Sequence, residues 1–249
     1  MAGVLKLARR GINAVLRPAG LELRRAGEWD SDPRGFIPLE ATLAEAAAAR
    51  QSVGDFLDAS YNFPGATQEA VDQLAALGAF RGPVETVCEI GPGSGRYLEK
   101  VVKICHPARY EIYETAQDWA DWLVESYQVL HQPTDGKTLA ATPSGSIDLV
   151  HAHKVFPSTP TIVTCRYLEE MARVLRAGGK AVFDVMTEPC LDDDTLKQWL
   201  ATDVHHGAYP AMMPRQYVLD LLGRRGLSLV GSFFVPMKPG RTECFVFAR

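Results

Sequence analysis

Val84-Glu85-Thr86-Val87-Cys88-Glu89-Ile90-Gly91-Pro92-Gly93-Ser94-Gly95-Arg96-Tyr97 decides the fold. Val84, Val87 and Ile90 give the short apolar run of a buried parallel strand, and Tyr97 to Val102 resumes with helical period. Between them Gly91, Gly93 and Gly95 permit a sharp turn whose backbone can approach a ligand closely. A strand, a glycine turn and a helix in that order make a cradle for a nucleotide cofactor. The spacing excludes a dinucleotide fingerprint: its third glycine belongs two residues past Ser94, where Arg96 stands, and Glu89 lies two residues before the first glycine.

Outward from this turn, strands and helices alternate. Strands are predicted at Val84–Ile90, Arg109–Glu114, Tyr127–His131, Ile147–Ala152 and Lys180–Met186, with helices at Tyr97–Ile104, Gln117–Glu125 and Arg166–Leu175. Such alternation implies right-handed crossovers and a parallel, doubly wound sheet. A helix near Pro214–Gly223 and strands at Ser228–Val235 and Thr242–Ala248 complete the chain. The link Pro236-Met237-Lys238-Pro239-Gly240 between those last strands cannot hold a crossover helix, so the two pair antiparallel. The fold class is therefore α/β, a Rossmann-like sheet of seven strands, mostly parallel with a reversed C-terminal strand.

Before the first strand, residues 1–80 read as a helical appendage or lid, with helical segments at Leu39–Arg50, around Asp55–Leu57 and at Thr67–Leu77, and residues 81–249 read as the main domain. Leu5, Ala8, Ile12 and Leu16 share one helical face, while Lys6, Arg9, Arg10, Asn13 and Arg17 occupy the rest. That segment is expected to dock on the domain by its apolar stripe. Peripheral contact with an anionic membrane and a cleaved presequence are the alternatives.

At 249 residues the chain can bury a large core, and its net charge of −4 without a basic stripe argues against a nucleic-acid surface. No apolar run approaches the ~20 residues that span a bilayer. Five widely spaced cysteines without a Cys-x-x-Cys pair read as reduced core thiols of a cytoplasmic protein.

Several motifs in order make residues 84–249 similar to the class I S-adenosylmethionine-dependent methyltransferases. They are Glu89 to Gly95, the acidic strand end Tyr113-Glu114, the strand Ser146-Ile147-Asp148-Leu149-Val150, and Met171 to Lys180. Ala177 departs from the family, where proline is common, and the closing hairpin agrees with the family's reversed seventh strand. The resemblance implies S-adenosylmethionine as cofactor and S-adenosylhomocysteine as product. Gly91, Pro92, Gly93 and Gly95 would face the methionine portion, with Glu89 ordering the turn or bonding the amino group through water. Glu114 would accept hydrogen bonds from both ribose hydroxyls. Asp135, Gly136 and Leu139 stand where the family holds adenine, although Asp-Gly is also an ordinary turn.

Methyl transfer to a hydroxyl needs alignment and a base. His153 follows Ile147–Ala152, at the carboxyl end of the fourth strand, where open parallel sheets bind ligands, and His151 points to the same side. The pair is read as catalytic, with His151 also bordering the cofactor. Structural hydrogen bonding and metal binding are the alternative roles, and no third metal ligand is adjacent. Asp184, Glu188 and Asp192-Asp193-Asp194 could hold a divalent cation, a reading not favoured over a helix N-terminus at the three aspartates. Tyr61 and Asn62 are expected to cover the site, His205, His206 and Tyr209 to line the acceptor pocket, and Phe156 to form an apolar wall.

The expected activity is O-methylation of a small hydroxylated acceptor, a sugar, a glycoside or a secondary metabolite, with His153 as general base. Metal-dependent O-methylation, N- or C-methylation and non-catalytic adenosylmethionine binding stand as alternatives, with a nucleotide-dependent oxidoreductase behind them. The sequence leaves a homo-oligomer open.

Overall fold

A computed structural model describes residues 37–201 and 210–249. The amphipathic segment at residues 5–17, and with it its docking, membrane and presequence readings, lies outside the described residues, as do His205, His206 and Tyr209. Ile37–Arg249 form one compact unit. It opens with three helices, α1 (Leu39–Ala49), α2 (Val53–Tyr61) and α3 (Ala66–Ala76).

Alternation then begins with β1 (Thr86–Ile90), α4 (Arg96–Cys105), β2 (Arg109–Tyr113), α5 (Gln117–Tyr127) and β3 (Leu130–His131). It continues through β4 (Ile147–Ala152), α6 (Thr161–Val174), β5 (Leu175–Val185) and α7 (Asp193–Ala201), and closes with α8 (Arg215–Arg224), β6 (Ser228–Pro236) and β7 (Arg241–Ala248). The seven strands form one sheet in the order β3-β2-β1-β4-β5-β7-β6. β7 enters between β5 and β6, antiparallel to both, so it is the reversed strand anticipated from the short hairpin link.

Parallel strands covered on both faces must be apolar along their length, and every residue of β4 is buried. Alternation sends Cys88, Ile90, Val150, Ala152, Phe183 and Phe245 to one face, against Tyr167, Leu168 and Met171 of α6 and Val218 and Leu222 of α8. Val87, Ile112, Leu149, Val182 and Val246 point to the other, against Val71 and Leu74 of α3, Leu98 and Val101 of α4, and Leu123 of α5.

Three expectations need correction. The third strand, expected over Tyr127–His131, is confined to Leu130–His131 because α5 runs on to Tyr127. The predicted turn before the fifth strand is part of that strand: β5 begins at Leu175 and passes Gly178-Gly179 as an irregularity in its pairing with β4. A Cβ on Gly179 would lie 2.9 Å from the Ile147 carbonyl oxygen, so the glycine serves a close backbone approach. α6 starts at Thr161, five residues before its predicted start, directly after Pro160, whose extended backbone ends the preceding loop.

All five cysteines are free thiols. No described helix is long and apolar enough to cross a membrane.

Candidate active site

The turn after β1 carries three glycines in the left-handed region, Gly91 at φ 59°, Gly93 at φ 52° and Gly95 at φ 71°. Their surroundings divide them by task. A Cβ on Gly91 would fall 2.7 Å from Val155 Cγ2, and one on Gly95 2.5 Å from Leu123 Cδ2, so both are needed for packing. A Cβ on Gly93 would meet nothing within 4 Å. The turn is pinned by Gly91 N–H donating to the Tyr113 carbonyl at 2.8 Å and Gly95 N–H to that of Pro92 at 2.9 Å.

Glu114 follows β2 and reaches across to this turn. One carboxylate oxygen accepts from Gly93 N–H at 2.8 Å and the other from Ala116 N–H at 2.8 Å. The acid read from the sequence thus borders the open side of the loop. Each carboxylate oxygen keeps a further lone pair beside its backbone donor, which a diol can fill.

Glu89, at the buried end of β1, is the register partner of His151 on β4. The Tyr110 hydroxyl donates to Glu89 Oε2 at 2.6 Å and lies 2.8 Å from His151 Nε2. Burial pushes the Glu89 carboxyl up to about 8, against the smaller downward pull of the Tyr110 hydrogen bond. Burial holds His151 well below the usual imidazole range, with His153 adding to the effect.

His153 leaves the carboxyl end of β4 and stacks on Tyr97, in the first turn of α4, with ring centroids 3.7 Å apart and planes 10° from parallel. Burial first, then the positive charges of Arg96 and Lys154, lowers its pKa to about 3, so the imidazole is neutral at physiological pH. Its Nε2 and Nδ1 of His151 are both enclosed without a hydrogen-bond partner, on rings 5.3 Å apart. The sequence therefore brought Glu89, the glycine turn, Glu114, His151 and His153 to one end of the sheet.

Other expected site residues stand apart from it or do different work. Asp135 is exposed, and its carboxylate accepts from Lys137 N–H and Thr138 N–H, both at 2.8 Å, closing its own turn. Leu139 is fully buried in the core, its N–H donating to Glu170 at 3.1 Å. Gly136 keeps the turn beside the end of β2, where a Cβ would lie 3.7 Å from Thr115. Tyr61 is exposed at the end of α2, and Asn62 donates to Asp58 at 3.3 Å. Phe156 packs on Tyr167 and Phe183 as part of the core.

The acidic residues also find local partners. Asp184 accepts from Lys154 N–H at 2.6 Å and from the Thr242 hydroxyl at 2.5 Å, and Glu188 accepts from Arg215 N–H at 2.9 Å. Asp192 caps α7 by accepting from Thr195 N–H at 2.8 Å. Among the described residues no group of three or more His, Cys, Asp and Glu is placed to hold a metal ion.

Sequence reasoning missed four contributors. Tyr97 and Tyr110 are polar-tipped aromatics inside otherwise apolar elements, the one signal that could have marked them. Lys154 holds a left-handed backbone at φ 60° directly after His153, and its Nζ donates to Thr242 at 2.7 Å and lies 3.4 Å from Asp184. Arg96, read first as the residue that spoils a dinucleotide site, pairs at 3.0 Å with the buried Asp58 of α2. Asp58 also accepts from Thr67 N–H at 2.7 Å and its hydroxyl at 2.8 Å. The third element of the site is thus fastened to the helices that precede the sheet. A groove of about 430 Å³ lined by His106, Arg109, Tyr110 and Tyr127 lies at the start of β2 and shares Tyr110 with this cluster.

Residues 63–231 match the family model described as a methyltransferase domain. The chain belongs to this methyltransferase family. With the Rossmann-like sheet and its reversed seventh strand, this places it among the class I S-adenosylmethionine-dependent methyltransferases. An O-methyltransferase family protein from Burkholderia thailandensis is similar in fold, with a TM-score of 0.57 at 18% identity over 89% of this chain and 69% of its own. An N-methyltransferase from Bradyrhizobium japonicum, in complex with S-adenosyl-L-homocysteine, matches with a TM-score of 0.54 at 18% identity over 73% and 86% of the two chains. Magnesium protoporphyrin IX methyltransferase from Synechocystis, with the same product bound, gives 0.55 at 14% identity over 98% and 99%. Comparison with the curated proteins gave no match.

The methyltransferase's own geometry fits the cofactor. The space beside Gly93 is free of side chains, and the acid at the end of β2 faces it within hydrogen-bond distance of the loop. The amino end of α4 adds its partial positive charge to the same place.

Proposed function

We propose that this methyltransferase acts on a hydroxyl of a small hydroxylated acceptor, a sugar, glycoside or secondary metabolite, with His153 accepting the hydroxyl proton. The observation that carries this reading is the place and state of His153. It sits at the carboxyl end of β4, flat against the helix that the glycine turn opens, with an unprotonated ring.

Gly91 to Gly95 would hold the methionine portion through backbone groups, Glu114 the ribose diol, and the turn at Gly136 would border the adenine. When bound there, S-adenosylmethionine supplies a methyl carbon on a sulfonium, whose carbon–sulfur pair stays on sulfur as the acceptor oxygen takes the methyl group. The protein's remaining tasks are alignment and removal of one proton. Tyr97 fixes the plane of His153, so that only rotation of the acceptor is left to orient the hydroxyl. A neutral imidazole beside two cations is a hydrogen-bond acceptor before it is a base, which suits a proton that leaves late. The helices up to residue 80 act as a lid, tied to the cofactor turn by Asp58 and Arg96, with Tyr61 and Asn62 at its rim. An amino acceptor is disfavoured by His151-Ala152-His153-Lys154 at the place where amino-group methylases carry an Asn-Pro-Pro-Tyr type of signature.

Methyl-labelled cofactor offered with a panel of sugars, phenols, carboxylates and amines tests the reading. Label is expected in alkali-stable ethers of hydroxylated acceptors. Label found on amines alone, or in base-labile esters alone, would sink the proposal.

A further inference from the structure

Glu89, Tyr110 and His151 form a hydrogen-bonded chain that the reaction as described does not use. A phenol has one hydrogen. With Glu89 ionised, Tyr110 donates it to Glu89, and the 2.8 Å contact with His151 then has imidazole Nε2–H as the donor. His151 Nδ1 then carries a bare lone pair, enclosed and without a partner. Nε2 of His153, on a ring whose centroid is 5.3 Å away, is likewise enclosed without a partner. The two nitrogens make no direct hydrogen bond; one water between them would satisfy both, with His153 as the Nε2–H tautomer donating through it to His151. His153 Nδ1 is then the free lone pair. With Glu89 ionised and that water in place, every link points one way, from His153 to Glu89.

We propose that these four residues are a proton relay in which Glu89, Tyr110 and His151 act through His153, and Glu89 keeps the proton taken from the acceptor hydroxyl. The inference rests on the hydroxyl-acceptor reading above. One proton enters at His153 Nδ1, and the Nε2 proton passes to His151 Nδ1. The His151 Nε2 proton moves to the Tyr110 oxygen, and the Tyr110 proton moves to the Glu89 carboxylate. One proton enters, one is bound on Glu89, and the three carriers end neutral with their hydrogen bonds reversed.

The energetics run in the same direction. The relay is open where Glu89 is ionised, above about 8, and there the carboxylate is a far stronger base than His153, held at about 3. The groups around the chain are Cys88 of β1, Tyr110 and Glu114 of β2 and its end, His151, His153 and Lys154 of β4 and its end, Arg96, Tyr97 and Cys105 of α4, Asp58 of α2, Asp184 of β5 and Cys244 of β7. Among them Arg96 lowers and Glu114 raises the Glu89 carboxyl, and both effects are smaller than that of burial.

Nitrogen-15 NMR of the cofactor-free protein reads the relay without turnover. When Glu89 is protonated it donates to Tyr110, Tyr110 donates to His151 Nε2, and His151 carries its hydrogen on Nδ1. The expected result is a change of His151 from the Nδ1–H to the Nε2–H tautomer as the pH is raised from about 6.5 to about 9.5. Glu89→Gln should hold the Nδ1–H form at both ends of that range. One unchanged tautomer in the unsubstituted protein would overturn the relay. In the loaded enzyme kcat should rise with pH through the Glu89 titration, and Glu89→Gln and Tyr110→Phe should abolish that limb and slow turnover about 100-fold, leaving the acceptor KM in place. Loss of turnover in His153→Ala with an unaltered pH limb in Glu89→Gln would refute the relay alone. Full turnover in His153→Ala would refute both readings.

Discussion

Glu89→Gln removes a titration that burial opposes, and its effect on stability can be worked from the structure. The carboxyl is held at about 8 in the folded protein, against an ordinary value of 4.5. Between those values the folded state binds more protons than the unfolded state. The stability present below the ordinary value is therefore lost as pH rises toward the folded value, at about 1.4 kcal/mol per pH unit. His151 and His153 have the opposite sign. Both are depressed below 6.5, so their contribution is present above that value and lost as pH falls. Above pH 6.5 the histidines are silent and Glu89 remains, over 8 − 6.5 = 1.5 units, or about 2 kcal/mol. Urea unfolding at closely spaced pH values across this window, at constant m, measures it through the midpoint. The unsubstituted protein should lose about 2 kcal/mol more than Glu89→Gln from the lower to the upper end. Cys88 and Cys244, whose burial raises them above the ordinary thiol value of 9.0, stay protonated in the folded protein across this window and do not enter the difference. Parallel stability curves would show that Glu89 ionises freely and would refute the argument.

The glycines of the turn separate packing from ligand contact. Gly95→Ala, driven into Leu123 at 2.5 Å, should cost about 3 kcal/mol of stability, whereas Gly93→Ala, with nothing in its way, should cost about 1 kcal/mol from backbone strain and weaken S-adenosylhomocysteine at least ~10-fold. Thermal unfolding and calorimetry on both variants check this, and similar ligand affinity in Gly93→Ala and the parent would disprove the assignment of its open side. Asp58→Ala leaves the Arg96 guanidinium and the Thr67 N–H without their partner and should cost about 3 kcal/mol in urea unfolding. A cost below about 1 kcal/mol would mean that solvent already screens the pair.

The strands were legible because parallel strands buried on both faces must be apolar throughout, and Ile147–Ala152 has the same limits in sequence and structure. β5 was read short because Gly178-Gly179 looks like a turn, while the structure uses it to bring the backbone against Ile147. The glycine turn, Glu114 and His153 could be found because each closes or follows a strand at the carboxyl end of the sheet. The contacts that tune them could not. Register between β1 and β4 sets Glu89 opposite His151, packing of α4 lays Tyr97 on His153, and docking of α2 brings Asp58 to Arg96. None of these juxtapositions has a spacing along the chain. Asp135 was ambiguous for a different reason: a carboxylate that accepts from an adenine and one that closes an Asp-Gly turn have the same sequence.

Single-turnover methyl transfer by His153→Ala, with S-adenosylhomocysteine affinity measured on the same preparation, tests the proposed chemistry most directly. His153 is predicted to leave ligand affinity within about threefold and to be needed for the step itself, so that the rate falls about 100-fold to 10,000-fold. A rate equal to that of the parent protein, or a loss explained wholly by weaker cofactor binding, would contradict it.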